Sequence, residues 1–136
     1  MKRTYLSLSA VFAATILAAC QTTKEAPNAA SIGVDFSWQG VTKCSSKSPA
    51  FKLTGVPAET KTLNFRMTDL DVPSYQHGGG SLAYTGQGEI PAGAFSYVGP
   101  CPPMGSHDYK FDVMALDAKG DTIIGKGSAT RAFPPK

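Results

Sequence analysis

Beyond residue 20 no run of side chains is apolar for long enough to cross a bilayer. No ten-residue stretch there carries an apolar stripe at helical spacing either, which argues against a helical bundle. An excess of charge of one sign is also missing. The pattern of basic and aromatic residues that grips nucleic acid is absent with it. Histidine is scarce, with two in 136 residues, so imidazole chemistry rests on His77 and His107 alone. The Gly-x-Ser-x-Gly nucleophile elbow does not occur. Without it, His77-Gly78-Gly79-Gly80 is an oxyanion-type loop lacking its nucleophile, and Ser81 beside a glycine run is a poor substitute. No enzyme activity is expected. Cys44, His77, Cys101 and His107 are zinc-ligand types, but their spacing is not that of a finger, and no metal or cofactor is expected. Gly86-Gln87-Gly88 lacks a strand-to-helix setting and reads as a turn.

The one long apolar run lies at the start. Lys2 and Arg3 precede Leu6 to Ala19, and Leu17-Ala18-Ala19-Cys20 places small residues before a cysteine. The run falls short of the ~20 residues of a comfortable span and has the form of a signal peptide. Residues 1–19 are therefore expected to be a lipoprotein leader, with the thiol of Cys20 taking acyl chains. Each buried methylene would contribute about 0.8 kcal/mol, so two or three chains anchor the protein durably. Gln21 in place of Asp points to the outer membrane of a bacterial envelope, facing the periplasm. Residues 20–31, rich in Ala, Thr, Lys, Glu, Pro and Asn, read as the lipidated cysteine and a flexible tether, and residues 32–136 as the folded domain.

Two of the 13 basic residues lie in the leader, so the remainder carries 11 against 10 acidic and names no partner by charge. Cys44 and Cys101 are left once Cys20 is lipidated. Beyond the inner membrane they either form a disulfide or remain buried thiols. A bridge closing that 57-residue separation would stabilise the fold by roughly 4 kcal/mol.

Fourteen glycines and ten prolines favour turns, and the patterning favours strands. Val34, Phe36 and Trp38 alternate with polar residues, as do Leu63, Phe65 and Met67 within Thr62 to Asp69. Tyr109, Phe111, Val113 and Ala115 alternate within His107 to Leu116; Asp117-Ala118-Lys119-Gly120 reads as a hairpin turn into a last strand, Asp121 to Ala129. Ser74 to Pro103, rich in glycine, reads as loop. The expected fold is mainly β.

Three segments occur in a telling order: Ser48-Pro49-Ala50-Phe51-Lys52-Leu53-Thr54-Gly55-Val56-Pro57; Asp69-Leu70-Asp71-Val72-Pro73 with His77; and Gly99-Pro100-Cys101-Pro102-Pro103-Met104-Gly105-Ser106-His107-Asp108-Tyr109. Together they resemble the phosphatidylethanolamine-binding protein family and its bacterial Raf kinase inhibitor-like branch, here in a short lipoprotein form. The resemblance implies a β-sandwich-like fold with a small pocket for phosphate, acetate or a phospholipid head group, without catalysis. It assigns Asp69, Asp71 and His77 to a small antiparallel domain's pocket, with Gly99, Pro100 and His107 in the loop that closes it; Gly105 would let the backbone approach a ligand closely. The chain departs from the family pattern, and its region between the two histidines is short. Gly78 to Ser81 follow His77 where the family has an aromatic and a strand, and Asp108 stands where it has Arg. These departures leave a second reading, a structural or protein-interaction module that kept the scaffold and lost the pocket.

Overall fold

Alternating side chains build this molecule, and one register decides where they go. The computed structural model describes residues 22–135; the leader and Cys20 lie outside the described residues. Strand β4 (Thr62–Asp69) runs antiparallel to β7 (His107–Leu116), pairing Leu63 with Ala115, Phe65 with Val113 and Met67 with Phe111. All six of these side chains are buried. A slip of one residue would turn the whole set to solvent, so burial itself fixes the register.

The remaining strands are β1 (Lys24–Ser31), β2 (Gly33–Ser37), β3 (Ala50–Thr54), β5 (Gly79–Ala83), β6 (Glu89–Ile90) and β8 (Thr122–Phe133). They form a five-stranded sheet in the order β1-β8-β7-β4-β5 and a three-stranded sheet in the order β2-β3-β6. No helix occurs among the described residues. Between the sheets lies an aromatic core in which Phe111, fully buried, meets Phe36 edge-on at 5.2 Å and Phe51 at 4.9 Å. Burying each such ring stabilises the fold by about 1.5–3 kcal/mol. The hairpin after β7 forms as expected, with Asp117 Oδ1 accepting the N–H groups of Lys119 and Gly120.

Three expectations need correction. Lys24 to Ser31 is not a flexible tether but strand β1, lying parallel to β8 and making the larger sheet mixed rather than purely antiparallel. Glu25 pairs with Lys126 across that edge at 2.8 Å. The strand is irregular between Glu25 and Ala30, and only Ala26, Ala29 and Ala30 are partly buried, so it left no apolar periodicity in the sequence. Pro27 is tolerated because an edge strand need not donate on both sides.

The glycine run after His77 is likewise not a loop. Gly78 turns the chain with φ +72, and Gly79 and Gly80 enter β5, paired with Arg66 and Phe65. A side chain at Gly80 would overlap the Phe95 ring, which stacks on Phe65 at 4.9 Å. The missing Cβ makes room for that stack. The last strand, expected to end at Ala129, continues to Phe133, which is buried opposite His107.

Candidate functional site

The alternation that fills the core also delivers the polar groups. After Leu63, Phe65 and Met67 the next inward position of β4 is Asp69, and the inward row of β7 begins with His107 before Tyr109 and Phe111. Asp69 and Tyr109 are direct cross-strand partners, so the carboxylate and the imidazole meet at one end of the sheet.

Asp69 is buried, at 4% exposure, and every part of its carboxylate is engaged. Oδ1 accepts the N–H groups of Asp71 at 2.9 Å and Val72 at 3.1 Å, an arrangement that folds the Asp69-Leu70-Asp71-Val72-Pro73 turn. Oδ2 accepts Nδ1–H of His107 at 2.8 Å. Burial alone would raise the Asp69 pKa. The hydrogen bond from His107 and those from the Asp71 and Val72 amides outweigh it, and hold the carboxyl below its usual value.

His77 is buried too, and its Nδ1 lies 2.6 Å from the Val98 carbonyl. A carbonyl only accepts, so Nδ1 carries the proton and Nε2 faces Asp69 Oδ2 at 3.9 Å. The amide of Val98 returns the contact by donating to the His77 carbonyl. Tyr109 separates the two imidazoles, with His77 edge-on at 5.5 Å and His107 stacked at 6.2 Å. Its hydroxyl is pushed well above the usual tyrosine range by burial and by the nearby Asp69 charge.

These groups open into a cavity of about 300 Å³ lined also by Val72, Tyr75, Cys101, Pro102 and Pro103. Larger hollows run beside Asp35, but its carboxylate already pairs with Arg131 at the surface. The cavity at Asp69 is where buried titratable groups converge, and it is the candidate site.

The expected site residues divide into three groups. Asp69, His77 and His107 line the cavity together. Asp71 stands behind them, its Oδ2 accepting the Asp108 N–H at 2.8 Å. Asp108 serves through its backbone, since its carbonyl also accepts the Leu70 amide; no side-chain Arg is needed for those contacts. Gly99, Pro100 and Gly105 do not line the cavity. Gly99 packs against the Ser45 backbone where any Cβ would collide, and the buried Pro100 accepts the Cys44 amide through its carbonyl. Cys44 and Cys101 are bridged, with Cα atoms 4.6 Å apart, which ties the Cys101-Pro102-Pro103 wall to the loop before β3. Gly105 is exposed at φ +65, turning the chain back toward β7. Val72, Tyr75, Pro102 and Pro103 also line the cavity, each within two positions of an expected pocket residue. Asp69, Asp71 and His107 place ligand-type atoms within 4.8 Å of one another, but the amides and imidazole described above occupy these carboxylates.

Two solved structures share this architecture. A phosphatidylethanolamine-binding protein homologue from Chlamydia trachomatis superposes with a TM-score of 0.56 at 19% identity, covering 78% of this chain and 97% of that one. The fold is that of the phosphatidylethanolamine-binding proteins. E. coli YbcL, a new member of the mammalian phosphatidylethanolamine-binding protein family, superposes with a TM-score of 0.51 at 19% identity over 65% of this chain and 80% of its own. No protein-family model and no curated protein matches the sequence. In this chain the strand that follows His77, β5, opens on two glycines.

Proposed function

We propose that the protein is a lipid-anchored protein of the bacterial envelope whose domain binds a small anion or phospholipid head group without catalysing a reaction. The observation that carries this reading is the pair of imidazoles set around one buried carboxylate at a cavity wall. With Nδ1 of each ring committed, to Asp69 in His107 and to Val98 in His77, Nε2 is the nitrogen left for a ligand. With both rings neutral the trio carries one negative charge and repels anions. With both protonated it carries one positive charge and each Nε2–H donates. A ligand bearing both phosphate and ammonium can meet either state.

Among the described residues that line the cavity, the one sulfur, Cys101, is bridged, and the hydroxyls are the phenols of Tyr75 and Tyr109. Binding without turnover is the reading this lining supports.

The second reading, a protein-interaction module, has its own observation. The exposed large apolar residues Leu70, Val72, Tyr75, Val98 and Met104 all sit in the loops around the cavity.

An NMR titration of residues 21–136 with phosphate and phosphoethanolamine at pH 6 and 7.5 tests the first reading. Saturable shifts confined to His77, His107 and residues 99–105 are expected. Their absence at millimolar ligand would favour the interaction module. Cys20→Ser or globomycin is expected to block maturation; normal processing of either refutes the anchor.

A further inference from the structure

The position at which strand β1 begins sets how far the domain can lie from a lipid on Cys20. If Cys20 is lipidated as proposed, only Gln21, Thr22 and Thr23 separate the lipid from strand β1. Four residue steps span at most about 14 Å when fully extended. The expected eleven-residue tether would have allowed almost three times that reach.

The end of the sheet to which this short link attaches is also settled. Lys24 pairs with Thr122 and its amide donates to the Asp121 carbonyl, beside the turn between β7 and β8. Glu25 lies opposite Ile123, which pairs with Leu116, the last residue of β7. The cavity belongs to the other end, where Asp69 pairs with Tyr109 and Phe133 with His107. From Tyr109 to Leu116 is seven residues of strand, about 23 Å. Bringing the cavity mouth face-on to the anchoring bilayer would lift Lys24 beyond the reach of its link.

We infer that the pocket faces away from the bilayer that holds Cys20, and that its ligand arrives from solution as a small phosphate- or carboxylate-bearing molecule rather than as a head group of that leaflet. The inference rests on the anchor and the anion site proposed above, and it narrows the ligand class. It also assigns the apolar rim of Leu70, Val72, Tyr75, Val98 and Met104 to the side away from that membrane.

The test uses the full, processed lipoprotein in vesicles carrying an acceptor-labelled lipid. Two variants, Lys119→Cys and Met104→Cys, each receive a donor dye at an exposed position, one on the turn near β1 and one on the cavity rim. Energy transfer several-fold stronger from position 119 than from 104 is expected. Equal transfer, or stronger transfer from 104, overturns the orientation. An unmodified Cys20 by mass spectrometry, with protein free of the vesicles, overturns the anchor and the orientation together. The ligand class has its own measurement: phosphoethanolamine should bind equally well in vesicles with and without phosphatidylethanolamine. Weaker binding when that lipid is present would show the leaflet competing for the pocket and refute a soluble ligand. If phosphoethanolamine binds in neither, the anion site falls and the ligand class with it, while the transfer ratio still decides the orientation.

Discussion

Asp69 and His107, 38 positions apart in sequence, are joined by a 2.8 Å hydrogen bond from the imidazole Nδ1 to a carboxylate that is otherwise closed off from water. The bond fixes the tautomer of the ring, and the two backbone amides on the other oxygen fix the carboxylate. The site is therefore organised before any ligand arrives.

Removing that charge should be felt in stability and in its pH dependence. Asp69→Asn is expected to cost about 2 kcal/mol, since hydrogen bonds to a charged group are each worth roughly 1.5–3 kcal/mol. Because the folded-state pKa of Asp69 is depressed, its contribution is present above the unfolded value near 3.9 and is lost as pH falls through the folded value. Urea unfolding should show a large gap between the two proteins at pH 6 that closes below about pH 4. A gap unchanged at pH 2.5 would contradict this account.

Ligand affinity should follow the imidazoles. His107→Gln, which leaves the buried His77 intact, should weaken phosphate by roughly ten-fold, the loss of one charge-assisted contact of about 1.5 kcal/mol. Calorimetric titration of both proteins with phosphate at one pH would check it; an unchanged affinity would remove His107 from the site.

At Gly80 the expectation runs against strand propensity. Valine normally suits a strand, yet Gly80→Val should destabilise by about 2 kcal/mol because its side chain would overlap the Phe95 ring. Pairing it with Phe95→Leu should recover part of the loss. Thermal unfolding of the four proteins in the cycle measures that coupling, and additivity would argue that the ring and the glycine are independent.

Breaking the bridge between Cys44 and Cys101 frees a 57-residue separation, and the double alanine variant is expected to lose about 4 kcal/mol. Thiol labelling of the unfolded, unreduced wild-type domain should find neither cysteine free. Two labelled thiols would show that the bridge does not form.

Much of this was legible before any coordinates. Period-two alternation gave β4, β7 and the buried row between them, because each has one face in the core. Continuing those rows by one inward step would also have placed Asp69 and His107 together. What alternation does not reveal is a strand whose pattern is set by its neighbours. β1 is half-exposed and irregular, and β5 opens on glycines whose bare backbone is required by Phe65 and Phe95. The loop residues divided differently. Gly99, Pro100 and Gly105 match the pocket motif, yet they hold and turn the chain behind it, leaving Pro102 and Pro103 to form the wall. A motif records which residues must be present, and only the fold shows which of them face the cavity.

The pairing of β1 with β8 also bears on the order in which this protein can be completed. The first strand of the sheet lies against the last, with Lys24 beside Asp121 and Glu25 held by Lys126 across 101 positions of chain. During synthesis, residues 24–31 must wait for their partner while everything between them is made. The edge closes last, after β7 and β8 have joined through their local hairpin. Until then residues 24–31 have no partner strand; once β8 arrives, the same segment is drawn into the sheet and is no longer free chain.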